Sequence, residues 1–343
     1  MSKDKRIELI KKISQKRNSV VISYVTSTRP KLEVQMAMDS VRIIFDHIIK
    51  SKISGKNSLD LFLSSNGGDG TVPWKLVTLI REYFTKFSVL VPCRAFSAAT
   101  LIALGADEII MHPMGMLGPT DPNVANDFNP PNPVNPQQKL GISVEDVTAY
   151  INLIKEDVGI SKGNELVEAF NKLPNVIHPL ALGNVKRSLA QSRMMATKIL
   201  SLHMKNPKDR RQINMIVDNL TSKLYYHGHP INRDEASKQL GIKTIINETS
   251  EIEDLIWQLY LEYENEMKLS IPFEPLYELL QKKPDLKLNI SEKTAKETLK
   301  LVYIESEYQT DVNELDYEIL GTLLPNSVTN AQLLTLYEGW RTE

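Results

Sequence analysis

Over the first 120 residues, apolar positions alternate between two rhythms, one helical and one extended. Residues 4–17 place Ile7, Leu9, Ile10 and Ile13 on one side of a short amphipathic helix. Ser19–Val25 is β-branched and aromatic and predicts a first strand. A helix is expected over 34–51, where Met36, Met38, Val41, Ile44, Phe45 and Ile48 form a stripe. Leu59–Ser64 predicts a second strand, stopped by Asn66-Gly67-Gly68. A helix over 71–85, a strand at Ser88–Val91, a helix opening at about Ser97 and a strand at Glu108–Met111 follow. Strands alternating with helices of this length imply parallel crossovers and an α/β domain.

The texture then changes. Thr120–Gln138 contains five prolines and little apolar periodicity, and reads as an exposed loop. Helices are expected at 143–157, 163–172, 178–204, 208–223 and 251–267, with Tyr226–Ala236 a turn running into a helix behind an Asn232 cap. Thr298–Glu305 and Asn313–Ile319 alternate as a hairpin would. The expected organisation is a core over 1–122, a Pro/Asn-rich loop over 123–142, a helical extension over 143–267 that completes the fold and supplies an oligomer interface, and a C-terminal region over 268–343 without an assigned role.

Composition narrows the function classes. At 343 residues the chain suits one catalytic domain plus an extension, and its 42% apolar content supports a full core. A net charge of −1 with no basic stripe gives no footprint for nucleic acid. The single cysteine, Cys93, excludes an internal disulfide framework and fits a reducing compartment. Met1–Arg17 lacks the apolar run of a secretory signal, and no stretch reaches the ~20 apolar residues of a spanning helix. The expectation is a cytoplasmic protein, with any membrane association running through a membrane partner.

Two segments carry candidate chemistry. Paired glycines at the carboxyl end of a strand, Gly67 and Gly68, let the backbone approach a ligand and present N–H groups to an anionic oxygen. Ser97 falls at a strand-to-helix junction among small residues, where it serves either as a helix N-cap or as an exposed nucleophile. His178, His227 and His229 have no cysteine or acidic cluster at ligand spacing, so no metal is expected, and nothing calls for a cofactor.

Taken in order, Asn66-Gly67-Gly68, Ser97-Ala98-Ala99-Thr100, Ala106-Asp107-Glu108-Ile109 and Leu117-Gly118-Pro119-Thr120-Asp121-Pro122 resemble a known group. It is the prokaryotic branch of the signal peptide peptidase A family often labelled serine dehydrogenase proteinase, within the Clp protease/crotonase superfold. A looser match runs through His178–Gly183 and His227–Ile231, so the resemblance covers about residues 15–265. It implies that Ser97 attacks a peptide or protein carbonyl, that Gly68 and Ala98 N–H groups hold the oxyanion, and that Gly67 and Asn66 line the substrate site. Asn66 stands where the family usually has proline, and Ala99 where it often has glycine. The base is either a histidine, for which His112 is the candidate, or a lysine, for which Lys139 fits the dyad spacing better than Lys155. Relatives assemble into rings or stacks, which implies a homo-oligomer. Two alternatives keep the fold without this chemistry: a silent assembly module lacking a base, and a crotonase-like enzyme whose glycine amides bind an acyl-CoA thioester.

Overall fold

In the computed structural model, which describes residues 2–120, 123–124, 126–223, 228–325 and 329–343, helix α1 (Ser2–Arg17) leads into β1 (Val20–Thr26). Every residue of β1 is buried, as a continuous β-branched run requires of a strand covered on both faces. The chain continues through α2 (Asp39–Ser51), β2 (Ser58–Ser64), α3 (Val72–Tyr83), β3 (Lys86–Val91), β4 (Arg94–Ala95), α4 (Ala98–Leu104) and β5 (Glu108–Met111). β1, β2, β3 and β5 pair side by side and parallel, so the α/β architecture with a parallel sheet is present.

Residues 244–343 return to the same unit as residues 1–116, and residues 117–243 form a second one. The returning segment holds β6 (Ile245–Ile246), α5 (Ser250–Met267), α6 (Pro275–Lys282), β7 (Ser291–Lys293), β8 (Glu297–Ser306), β9 (Gln309–Leu323) and β10 (Thr329–Thr342). β6 extends the parallel edge beside β5, whereas β8 lies antiparallel to β1, with Ile22 opposite Ser306 and Thr26 opposite Val302. The result is a mixed nine-stranded sheet in the order β7-β9-β8-β1-β2-β3-β5-β6, with β10 on the outer side of β9.

This division differs from the one read along the sequence, and the reason is packing. α5, expected at the end of a helical extension, packs on α1: Ile252, Ile256, Leu259 and Tyr263 share one core with Ile10, Ile13, Val21, Val25 and Phe62. The C-terminal region, which the sequence leaves without a role, contributes the strands next to β1. Alternation along β1 serves both faces. Val21 and Val25 turn toward α1 and α5, while the Tyr24 hydroxyl donates to Ser40 Oγ of α2 at 2.9 Å. α2 itself starts at Asp39 rather than at the expected residue 34. Met36 donates its N–H to Gly67 O (2.8 Å) and accepts from Asp69 N–H (2.9 Å), which commits that stretch to extended backbone.

One buried trio has the composition of a catalytic triad. His47 Nδ1 lies 2.8 Å from Ser306 Oγ and Nε2 lies 2.9 Å from Asp311 Oδ2. All three side chains are sealed from solvent, so no substrate reaches them; the trio clasps α2 to the β8–β9 hairpin.

In the second unit the helices span Val144–Asn152, Gly163–Phe170, Pro179–Leu200 and Asp209–Asp218, with Ile142, Ala181 and Val185 in a small core. Asp121, Pro122, Tyr226 and His227, which the sequence reading used, lie outside the described residues. Among the described residues, no helix is long and apolar enough to cross a membrane.

Candidate active site

The end of β2 organises the site. Ser65 donates its N–H to Arg94 O (2.9 Å) and accepts from Phe96 N–H (3.0 Å), so the short strand β4 is laid against the exit of β2. β4 ends two residues before Ser97. There the chain turns sharply: Ser97 has φ 53° and ψ −114°, backbone that glycine adopts readily and serine only under strain. Although Ser97 occupies the cap position of α4, its side chain makes no capping hydrogen bond. The N-cap reading therefore does not account for this serine. Thr100 pins the turn from inside, its hydroxyl donating to Ala95 O at 2.7 Å.

The glycine turn abuts this serine. Gly67 has φ 96°, and a Cβ built on it would lie 2.7 Å from Phe96 O, 2.8 Å from Ser97 Cβ and 3.0 Å from Ala98 N. Gly68 has φ 153°, and its Cβ would meet the Met36 backbone at 2.4 Å. Both positions thus require glycine for space as well as for backbone angle. The Gly67 N–H is spent on Ser65 Oγ (3.0 Å), which also accepts the Thr26 hydroxyl at 2.8 Å. Two amides remain: among the described residues, neither Gly68 N–H nor Ala98 N–H has an acceptor. Backbone donors left open beside a half-buried hydroxyl are what an oxyanion hole requires.

Ser97, Ala98, Gly67, Gly68 and the exposed Asn66 are thus gathered by three neighbouring pieces of backbone. The two candidate bases have different surroundings. His112 follows β5, its ring stacked on Trp257 (centroids 4.8 Å, planes 8° apart), and its Nδ1 accepts the Met114 N–H at 3.1 Å. In the neutral ring this puts the proton on Nε2 and spends the Nδ1 lone pair on the backbone. Lys139, in the second unit, is exposed. Lys155 is also exposed, on the rim of an apolar groove formed with Ile154, Leu166 and Phe170. Of the other histidines, His178 accepts from Leu180 N–H through Nδ1 at 3.2 Å and His229 Nε2 meets Glu235 Oε1 at 2.8 Å, both local structural roles.

Thr26 and Ser65 also belong to the site, and nothing in the sequence singles them out. Both are small hydroxyl residues at strand ends, where such residues are ordinary, and only the fold brings their hydroxyls together beneath the glycine turn.

Comparison with known proteins adds the family context. Residues 1–173 match the family described as ClpP-like SDH-type serine proteinase. An uncharacterized protein of Methanocaldococcus jannaschii is 25% identical over 262 residues, 74% of this chain and 78% of the relative. A second uncharacterized protein of that organism is 24% identical over 202 residues, 59% of this chain and 56% of the relative. Among solved structures, a mutant of the 1510-N membrane-bound stomatin-specific protease matches at 19% identity and a TM-score of 0.27. That match covers 39% of this chain and 63% of the other.

Proposed function

The chain belongs to the ClpP-like SDH-type serine proteinase family, and from that premise we propose that it is a serine peptidase acting on peptides or proteins through Ser97. The hydroxyl oxygen attacks the scissile carbonyl carbon as its proton passes to a base. The negative charge that develops on the carbonyl oxygen is received by Gly68 N–H and Ala98 N–H. Collapse expels the amine, which takes up that proton, and water then releases the acyl group from Ser97. Asn66 and Gly67 border the substrate. The observation that carries this reading is the glycine-like backbone of Ser97, held without a capping bond against a turn with an open amide. A crotonase-like enzyme would need the glycine amides and has no use for a strained serine.

For the base, the resemblance leaves a histidine, His112, or a lysine, for which Lys139 stands at the dyad spacing. The rings and stacks of its relatives point to a homo-oligomer as the working form.

The direct test is covalent. Incubating the assembled protein with a fluorophosphonate and mapping the adduct by mass spectrometry is expected to return Ser97. Unmodified Ser97 in an assembled sample would overturn the assignment. Gly67→Ala is expected to slow that labelling by about 10²–10³, the typical loss when an oxyanion donor is displaced. The added methyl overlaps the Phe96 carbonyl and Ala98 nitrogen and forces the two halves of the site apart. A labelling rate within a factor of three of wild type would mean that the turn and the serine do not act together.

A further inference from the structure

The arginines of the first unit divide sharply by partner. Arg6 meets Glu305, Arg17 meets Asp60, Arg29 meets Glu278, Arg42 meets Asp46, Arg81 meets Asp107 and Arg341 meets Asp316. Arg94 differs. Among the described residues no carboxylate lies within ion-pair distance of it, and the one hydrogen bond of its side chain is a long contact of 3.5 Å from Nη1 to Asn66 Oδ1. Its Nε is buried and has no acceptor. A guanidinium carries five donors, and a partly buried one left unpaired forfeits hydration without compensation. Such a group stays in a fold at a cost unless something anionic completes it.

Its position says what that is. Arg94 precedes Ser97 by three residues on β4, and the asparagine it touches is the neighbour of Gly67, the glycine that abuts Ser97. The guanidinium thus stands beside the same glycine turn that abuts Ser97. Building on the serine peptidase reading, we propose that Arg94 is a specificity residue that binds a carboxylate of the substrate close to the scissile bond. A planar guanidinium accepts a carboxylate through two parallel N–H···O bonds, a geometry the neutral Asn66 amide does not satisfy. The substrate is thus a peptide carrying an acidic side chain, or its own terminal carboxylate, beside the cleavage site.

The test uses two matched pairs of peptide fluorophosphonates on the full-length assembled protein. One pair ends in a free carboxylate or its carboxamide; the other carries glutamate or glutamine within the arm. The acid of one pair is expected to label Ser97 about 10- to 100-fold faster than its neutral twin, the range for hydrogen bonds to a charged group. The pair that responds tells a chain terminus from an acidic side chain. Arg94→Gln is expected to bring that ratio to about one, while Arg94→Lys, which keeps the charge but loses the fork, retains part of it. Ratios near one for both pairs in the wild type, or a ratio that survives Arg94→Gln, would overturn the role of Arg94 and leave the peptidase reading intact. Failure of all four probes to modify Ser97 would overturn both.

Discussion

Ser97→Ala is expected to abolish peptide hydrolysis, a loss on the order of 10⁶ in kcat where a nucleophile is removed from a working constellation. The companion variant is more revealing. Ser97→Gly is expected to be equally inactive yet more stable than the wild type, by about 1 kcal/mol in a urea titration at unchanged slope. Serine at φ 53°, ψ −114° sits in backbone that costs roughly 1–3 kcal/mol for a residue with a Cβ. Glycine removes that strain, at the smaller expense of a more flexible unfolded chain. None of that relief reaches Ser97→Ala, which keeps the Cβ and so should match the wild type in stability. The pairing matters because an ordinary cap serine behaves the opposite way, losing stability on replacement by alanine. A stability order of wild type above glycine, with alanine lowest, would sink the idea that the backbone here is held under strain for catalysis.

Strands β1, β2, β3 and β5 were readable because each is a short β-branched run closed by a polar or glycine break, and Ser97 with Gly67–Gly68 was readable as an ordered set of motifs. α5 was readable as a helix but not as a partner of α1, because amphipathicity says that a face is buried and not against what. The start of α2 was misplaced because the apolar stripe includes Met36, whose backbone is taken by Gly67 and Asp69, residues more than thirty positions away. The β8–β9 hairpin showed its alternation, yet its place beside β1 depends on pairing Ile22 with Ser306, a long-range register no local pattern encodes. The lone-pair assignment of His112 was equally hidden, since it turns on one contact with the Met114 amide.

Long-range burial also sets the largest stability effect. Glu305 is fully buried on β8 and accepts from four groups: Arg6 Nε at 2.8 Å, Arg6 Nη2 at 3.2 Å, the Tyr263 hydroxyl at 2.7 Å and the Thr310 hydroxyl at 2.8 Å. Arg6, on α1, is itself sandwiched near the Tyr263 and Tyr303 rings, 5.4 and 4.6 Å from their centroids. Burial opposes its charge, but the bond and charge of Glu305 hold the guanidinium pKa above its ordinary value. Glu305→Ala therefore removes the nearest carboxylate from a buried cation, leaving Glu266 at 4.0 Å, strands two hydroxyls as well, and is expected to cost about 3–5 kcal/mol, a large share of a typical 5–15 kcal/mol of stability. Glu305→Gln keeps the shape but offers one acceptor oxygen and no charge, and should cost less. Replacing the pair together, Arg6→Met with Glu305→Leu, is expected to recover most of the loss, because the penalty belongs to the unpaired charge more than to the absent bridge. The residual is the Tyr263 and Thr310 hydroxyls, at roughly 1–3 kcal/mol for each left unsatisfied. Urea midpoints for the four proteins check this. A Glu305→Ala cost below 1 kcal/mol, or a double variant no more stable than the single, would show that this network does not hold α1 to the sheet. Because β8 is the strand that flanks β1, whose last residue Thr26 donates to Ser65 beneath the glycine turn, activity in these variants should fall with the folded fraction and not ahead of it.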